Sequence, residues 1–135
     1  MNEIFKDIPG FEGRYQVSNL GRVKSLEREE WRSYSDRASH SVKIRERLLT
    51  LCKDGEGYVH VRLSKDAHYT LWKVHQLVAL VFLNHDRKKT KGKAIIHHIN
   101  GDKTDNRLDN LQIYTISQHI KYHRNRKKEM KNAIA

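Results

Sequence analysis

Cysteine and proline are almost missing from this chain, which has one of each, Cys52 and Pro9, among its 135 residues. A single cysteine cannot form a disulfide within the chain and cannot build a cysteine zinc site. Acidic residues are also few, since 16 Asp and Glu stand against 27 Lys and Arg and leave a formal net charge of +11. Such a surplus in a small protein favours a polyanionic partner, and nucleic acid is the first candidate.

Long apolar runs are missing as well. No stretch approaches the roughly 18 to 20 apolar residues that are needed to span a bilayer, so we expect no membrane association. The N-terminal stretch MNEIFKDIPG lacks the basic-then-apolar order of a signal peptide. Together with the lone cysteine, which fits a reducing compartment, these absences predict a cytoplasmic protein.

Two short strands are predicted near the N-terminus, over Tyr15–Val17 and Arg22–Leu26. The turn between them, Ser18–Gly21, contains Asn19 and Gly21, which both suit positive φ.

The next segment, Glu27–Glu46, is charged and serine-bearing and has no clear period. We interpret it as a solvated loop in which Trp31 and Tyr34 are isolated anchors. A short strand over Arg47–Leu51 is expected to follow it.

The middle of the chain is predicted to form a hairpin and a helix. Strand-like residues at Tyr58–Leu63 and Tyr69–Val74 follow the turn signal Asp54–Gly57, and they would pair through Ser64–His68. The segment Val74–Leu83 is apolar nearly all round, which is typical of a short buried helix.

Two more strands and a helix are predicted in the C-terminal third. Ala94–Ile96 and Leu111–Tyr114 are short strands, and Asn100–Asn110 between them is a compact polar loop rich in Asn, Asp and Gly. The helix is expected to begin near Thr115, because Gln118 three residues later completes a capping box. The chain is therefore predicted to be α+β.

Four histidines are placed where they can act together. His97 and His98 follow the first of these strands, and strand alternation points their side chains to opposite sides. His119 and His123 are four residues apart on the predicted helix, so they share a face and can grip one ion. One histidine of the adjacent pair can then face the ion while its neighbour faces a water molecule.

This division of labour suits phosphodiester hydrolysis. A divalent cation stabilises the charge that develops on the phosphate and the leaving 3′ oxygen, and a neutral imidazole can take a proton from the attacking water. Any one of these histidines alone would more often be packed or solvated, so the joint pattern carries the metal prediction. Asp105 and Asp109 are weaker metal candidates, and Asn100 and Asn106 are assigned mainly to tight turns. His75 is interpreted as structural or DNA-adjacent.

The stretch His97–Asp102, followed by Asp105–Leu111, resembles the HNH endonuclease motif. Its three marker residues would be His98, Asn110 and His119, and their spacings of 12 and 9 residues (98 to 110, 110 to 119) match the phage and intron-encoded branch.

The resemblance implies a role for each residue. His98 would be the general base, and His97 would be the first metal ligand, a position often occupied by Asp in relatives and by His in the colicin-type nucleases. Asn110 would hold the loop between the strands and orient the base through backbone hydrogen bonds. His119 would be the ligand on the helix. His123 is similar to the further helix ligand of the colicin-type branch, although many relatives manage with two protein ligands.

The N-terminal stretch Ile8–Leu26 closely resembles the NUMOD4 module, which accompanies HNH endonucleases and is associated with DNA binding. Gly57–Tyr58 and Val74–Ala79 continue the family pattern, and Phe5 stands near the place where the family usually has a tryptophan.

Together the two resemblances predict two regions. Residues 1–50 would be a small β-rich NUMOD4-like DNA-binding region with a divergent loop at 27–47. Residues 51–131 would be the HNH endonuclease domain, with a ββα-metal core at about 94–126.

Two groups of basic residues are candidates for contacts with DNA phosphates. Charges on a small hairpin are often only solvated, but three on the N-terminal hairpin are candidates: Arg14, Arg22 and Lys24. The second group is the basic run on and after the active-site helix: Lys121, Arg124, Arg126, Lys127 and Lys128.

The sequence therefore predicts a metal-dependent DNA endonuclease of homing or phage type. It would bind double-stranded DNA and either nick it as a monomer or cut both strands as a homodimer, in the cytoplasm of a bacterial host if it is phage-encoded. One divalent ion is expected, with Mg²⁺ favoured by its abundance in the cell and Zn²⁺, Mn²⁺ or Ni²⁺ by the imidazole ligands.

Two alternatives remain open. The chain could be a non-catalytic DNA-binding or phage packaging accessory protein with a structural metal finger, which would need four protein ligands around the ion. The third interpretation is a nuclease that acts on RNA.

Overall fold

The computed structural model describes residues 2–34, 37–86, 89, 93–118, 120–121, 124–125 and 127–128. Within them lie eleven strands, the α-helix Val74–Phe82, one 3₁₀ turn and further helical residues from 116 onward, so the α+β prediction is confirmed. Across these same ranges, no helix has the length and apolar character that crossing a membrane requires.

A four-stranded antiparallel sheet forms the N-terminal part. Its strands stand in the order β1 (Phe5–Asp7), β2 (Tyr15–Ser18), β3 (Val23–Ser25) and β6 (Arg47–Leu48). The predicted hairpin between β2 and β3 is present, and its turn closes through a hydrogen bond from the Ser18 backbone N–H to the Arg22 carbonyl (2.8 Å).

Of the two turn residues that were predicted to suit positive φ, Asn19 and Gly21, only the glycine adopts it. Gly21 has φ of +83° as expected, but Asn19 keeps a negative φ, so the prediction for Asn19 is wrong. The Asn19 side chain is instead buried and bonded to the N-terminal segment, where its Oδ1 accepts from the Ile4 N–H (2.7 Å) and its Nδ2 donates to the Asn2 carbonyl (3.0 Å).

The segment predicted to be a solvated loop is a β-hairpin. Strands β4 (Arg28–Tyr34) and β5 (Arg37–Ile44) pair antiparallel and form a separate two-stranded sheet between β3 and β6. Trp31 is 76% exposed, so it anchors nothing in the fold. At residues 28–33 and 38–44, where the structure describes the burial, no side chain is buried, so the apolar–polar alternation that marks a half-buried strand is missing.

The middle of the chain forms the predicted hairpin and helix, and one further short strand, which was not predicted, completes a three-stranded sheet. The strands are β7 (Cys52–Lys53), β8 (Val59–Lys65) and β9 (His68–Lys73). The β8–β9 turn places Asp66 and Ala67 at positive φ (52° and 62°), the geometry that matches the twist of a two-residue hairpin.

Helix α1 (Val74–Phe82) begins directly where β9 ends. Its buried residues, Val74, Leu77, Val78 and Ala79 among them, cover β2, β8 and β9, which explains why the segment is apolar on almost every side.

The last described elements are a hairpin and the start of a helix. Strand β10 (Ala94–His98) pairs along its full length with β11 (Leu111–Thr115), and a 3₁₀ turn (Leu108–Asn110) leads into β11. Strand β10 is longer than expected and includes both adjacent histidines.

The capping box at the start of the last helix is also present. The Thr115 N–H donates to Gln118 Oε1 (2.9 Å) and the Gln118 N–H donates to Thr115 Oγ1 (3.2 Å), and residues 116–118 are helical.

One buried cluster joins the N-terminal sheet to the rest of the described chain. Burial of a large aliphatic side chain contributes about 1.5 to 3 kcal/mol, and most of the cluster is aliphatic. Its members are Ile8, Tyr15, Val17, Val23, Val61, Leu63, Val74, Leu77, Val78 and Leu111.

Candidate active site

His98 is the last residue of β10 and is only 7% exposed. Its Nε2 lies 2.8 Å from Oδ1 of Asn106, which is 5% exposed. Buried polar atoms are costly unless they are hydrogen-bonded, so this contact satisfies one nitrogen of the ring. The His98 side chain is thus held at a defined position at the end of the strand.

Two further rings surround His98. The His75 ring, from the first turn of α1, stands edge-on with its centroid 5.1 Å from the His98 centroid. The Tyr58 ring, just before β8, lies 6.2 Å from His98 and 5.2 Å from His75. These contacts restrict how the His98 ring can turn.

His75 is a neutral packing residue at ordinary pH. It is 7% exposed, and its Nδ1 has no hydrogen-bond partner. Burial, and to a lesser extent the neighbouring His98 and Lys73, lowers the pKa of His75 to about 4. This environment agrees with the structural alternative that the sequence suggested for His75.

Asn110 ties together the two ends of the loop that follows β10. Its Oδ1 accepts from the Asn100 N–H (3.0 Å), and its Nδ2 donates to Asn100 Oδ1 (2.9 Å) and to the Asp105 carbonyl (2.8 Å). Its backbone carbonyl accepts from the Ile99 N–H (2.8 Å), one residue beyond His98. These are the contacts that the predicted loop-holding role of Asn110 would require, and that role stays a prediction.

Asp105 belongs to the structure of the same loop. Its carboxylate accepts from Arg107 Nε and a terminal nitrogen (both 2.8 Å) and from Asn100 Nδ2 (3.0 Å). The hydrogen bonds from Arg107 lower the pKa of Asp105 to about 2. Because its oxygens are already engaged with these donors, Asp105 is a poor candidate for a metal ligand.

His97 lies on the opposite side of β10 from His98, as strand alternation predicts. It is half-buried, and its ring centroid is 5.3 Å from that of Tyr114 on β11. The other two predicted ligands, His119 and His123, lie outside the described residues. In the part of the chain that the structure does describe, no group of three or more His, Cys, Asp or Glu is placed to hold a metal ion.

The three N-terminal candidates for DNA contact are engaged within the protein. Arg14 pairs with Glu30, and Arg22 pairs with Glu3. The Lys24 ammonium lies 4.0 Å from the Phe5 ring centroid. Their contribution to DNA binding is therefore expected to be smaller than the sequence suggested.

The C-terminal candidates lie on the helical residues after β11. Lys121, Arg124, Lys127 and Lys128 are exposed. Arg126 lies outside the described residues.

Sequence reasoning missed the residue that bonds to His98. Asn106 is assigned to turn formation by sequence, because asparagine in a polar loop is a common turn residue and nothing in its spacing distinguishes it. The cluster of Tyr58 and His75 around His98 is also invisible in the sequence, since these residues come from distant parts of the chain.

Two family models match this chain. One, described as the NUMOD4 motif, matches residues 3–64, and the other, described as an HNH endonuclease, matches residues 89–121. The second range contains His97, His98, Asn106 and Asn110.

Two curated proteins are similar in sequence. The chain is 37% identical over 124 residues to the uncharacterized HNH endonuclease L247 of Acanthamoeba polyphaga mimivirus, a match that covers 90% of this chain and 26% of that protein. It is 32% identical over 111 residues to the DNA endonuclease I-HmuI of Bacillus phage SP01, which covers 82% of this chain and 52% of that protein. The chain thus spans about half of one relative and about a quarter of the other.

A solved structure is similar in fold. It is described as DNA binding and cleavage by the HNH homing endonuclease I-HmuI, and it matches with a TM-score of 0.66 at 26% identity. The match covers 96% of this chain and 66% of that chain.

Proposed function

Because this chain belongs to the HNH endonuclease family and carries a NUMOD4 motif ahead of the HNH motif, we propose that it is a metal-dependent DNA endonuclease. The observation that carries the proposal is His98, which is buried at the end of β10 with one ring nitrogen bonded to Asn106. A histidine that is fixed in this way inside the HNH match is suited to act as a general base.

The proposed reaction is hydrolysis of a phosphodiester bond. His98, as a neutral imidazole, would take a proton from the water that attacks phosphorus, and the bond to the 3′ oxygen would break. Asn110 would act at a distance from the reacting atoms, by keeping the loop after β10 closed.

The chain's donor chemistry fits one divalent ion. His97 faces away from His98, and His119 and His123 come four and eight residues after Thr115 in the sequence, in the stretch predicted to be a helix. Three imidazoles suit Zn²⁺, Mn²⁺ or Ni²⁺, whereas Mg²⁺ would depend on oxygen ligands from the DNA and water. When bound, the cation would stabilise the negative charge that develops on the phosphate and the leaving oxygen.

Double-stranded DNA is the proposed substrate, and I-HmuI is itself described as a DNA endonuclease. Exposed cations on the C-terminal helical residues, Lys121, Arg124 and Lys127, would contact phosphates on either side of the cut. With one site per chain, a monomer would nick one strand, and cutting of both strands would require a homodimer or a second event. The similarity to a phage protein supports action in the cytoplasm of a bacterial host.

The test is a plasmid cleavage assay with a panel of divalent ions and an EDTA control. Wild-type protein should convert supercoiled plasmid to nicked or linear DNA only when a divalent ion is present. His98→Ala should lower the cleavage rate by at least about 100-fold, the usual contribution of a general base, while DNA affinity stays within about twofold.

His68→Ala is the matched control, because His68 is an exposed histidine on β9. It should leave both the cleavage rate and DNA affinity unchanged. Full cleavage by His98→Ala would contradict the assignment of the base. Cleavage of structured RNA in preference to duplex DNA would contradict the proposed substrate.

A further inference from the structure

We infer that Asn106 is a positioning residue for His98, and that the N-terminal turn of residues 18–21 is what holds Asn106 in place. The inference rests on the proposed function, because it assigns the nitrogen with which His98 would act. It gives the NUMOD4 region a part in supporting the active site, in addition to any contact it makes with DNA.

The hydrogen bond between the two side chains determines the form of the imidazole ring. An amide Oδ1 can only accept a hydrogen bond, so at 2.8 Å the His98 Nε2 must carry the proton. In a neutral ring the lone pair then belongs to Nδ1, which is the atom left to take a proton from water. Asn106 therefore selects the tautomer and also fixes the direction in which Nδ1 points.

Burial makes this selection strong. His98 and Asn106 are 7% and 5% exposed, so water competes little for either group. The rings of His75 and Tyr58 pack around His98 and oppose its rotation. Asn106 supplies the one side-chain hydrogen bond to His98 within the described residues.

The N-terminal turn reaches Asn106 at contact distance. A Cβ built on Gly21 would lie 3.2 Å from each of three Asn106 atoms, the backbone C, the backbone O and the Cβ. These distances are shorter than ordinary van der Waals contact, so a side chain at position 21 would displace Asn106 by a few tenths of an ångström. Gly21 also has φ of +83°, which the turn requires independently.

A second contact connects the same two segments. The Leu108 N–H donates to the Asn19 carbonyl at 2.8 Å, two residues after Asn106. Asn19 is itself held by hydrogen bonds to the backbone of Asn2 and Ile4. The turn therefore contacts the short segment 106–108 at both of its ends, through Gly21 at Asn106 and through Asn19 at Leu108.

The first experiment compares Asn106→Ala with Asn106→Asp. Alanine removes the acceptor, whereas aspartate keeps an oxygen at the same place. We expect Asn106→Ala to lower kcat by about 10- to 100-fold, as loss of an orienting partner usually does, with KM within about twofold. Asn106→Asp should keep kcat within about threefold of the wild type.

The tautomer can be read directly by NMR. Long-range ¹H–¹⁵N correlations of His98 in ¹⁵N-labelled wild-type protein should show the proton on Nε2, and Asn106→Ala should shift the ring toward a mixture of tautomers. This measurement needs no cleavage. If the wild type cleaves no DNA but shows the Nε2–H tautomer, the proposed function fails while the positioning contact stands.

The second experiment tests the turn with Gly21→Ala and Gly13→Ala. Both glycines have positive φ, +83° and +77°, so alanine is strained at either, but a Cβ at Gly13 would meet nothing within 4 Å. We expect Gly21→Ala to lower kcat by about 10-fold with KM little changed, and Gly13→Ala to leave kcat unaltered. Since both variants strain a turn but only Gly21→Ala disturbs Asn106, the difference in kcat between them measures the effect of the contact with Asn106.

Several results would overturn the inference. A wild-type His98 ring protonated on Nδ1 would do so, even if Asn106→Ala failed to fold. So would equal losses of kcat in Asn106→Asp and Asn106→Ala, or equal kcat in the two glycine variants.

Discussion

His75 is a titratable residue that packs against the candidate base His98 as a neutral ring. Its ring packs edge-on against His98, and burial lowers the pKa of His75 to about 4. A protonated His75 would place a positive charge beside His98 and Lys73 in a poorly solvated place, with Asp54 as the one acidic neighbour that opposes the shift. The fold therefore favours the neutral ring.

This pKa has a consequence for stability in acid. The ordinary pKa of histidine is 6.5, so between pH 6.5 and about 4 the unfolded chain binds a proton at residue 75 that the folded chain does not. Stability is complete above pH 6.5 and falls as the pH is lowered to about 4, by at most about 3 kcal/mol. Thermal unfolding across this range should show the loss, and His75→Phe should reduce it.

His68→Phe is the control for that experiment, since His68 is exposed and carries the same substitution. It should keep the acid dependence of the wild type. If His75→Phe also kept it, the acid sensitivity would have to come from another group.

At the scale of elements, the β4–β5 hairpin is the part of the chain that the rest of the fold uses least. It leaves the N-terminal sheet after β3 and returns at β6, and β3 and β6 pair directly across its base. All buried hydrophobic residues of the described chain lie outside it. It is tied to the fold near its base, where Glu30 pairs with Arg14 and where Arg28 donates to the Arg14 carbonyl and to Ser25 Oγ (both 3.1 Å).

The hairpin should therefore be removable down to its base. Glu30 and Val42 face each other in register, so residues 31–41 can be replaced by a two-residue Asn-Gly turn, which suits a tight hairpin. We expect the unfolding temperature to change by less than about 5 °C. A matched variant that replaces Glu30 by Ala in the shortened chain should be less stable, because it breaks the pairs with Arg14 and Arg28.

A much larger fall in unfolding temperature on shortening would show that the hairpin stabilises the fold. Thermal unfolding followed by circular dichroism distinguishes the outcomes.

The elements also show what can and cannot be predicted from the sequence. Helix α1 is predictable because it is apolar nearly all round, and the β2–β3 hairpin because its strands bury one face. The β10–β11 pair is predictable because a polar loop rich in Asn, Asp and Gly separates two strand-like runs. The β4–β5 hairpin buries neither face, so its pairing leaves no periodic signal. In the site, the histidine pattern points to His97 and His98, but the Asn106 contact depends on how the loop folds back, which spacing does not encode.

At the scale of the whole molecule, some of the positive side chains are paired within the protein and others are exposed to a partner. The formal net charge is +11. Arg14 and Arg22 are paired with carboxylates, whereas Lys121, Arg124 and Lys127 are exposed on the helical residues after β11. We therefore expect these three cations to take part in binding the DNA backbone.

Salt dependence of DNA binding tests this distribution. The slope of log K against log salt concentration becomes shallower by about 0.9 for each phosphate that the protein no longer neutralises. A triple variant, with Lys121, Arg124 and Lys127 changed to Ala, should reduce the slope by about 2 to 3. Fluorescence anisotropy with a labelled duplex over a range of salt concentrations gives the measurement.

A charge-matched triple variant provides the control. Changing Lys53, Arg62 and Lys65, which are exposed on the three-stranded sheet, to Ala removes the same charge from another surface and should reduce the slope by less than about 1. Equal effects of the two triple variants would mean that DNA does not prefer the C-terminal surface.

The buried cluster that contains both Val17 and Leu111 has a consequence for protein engineering. A chimera that joins residues 1–50 of this chain to the HNH region of a relative would pack buried apolar side chains from two different proteins against each other. Recombination at the motif boundary should therefore yield poorly folded proteins unless the facing apolar residues are exchanged as a set.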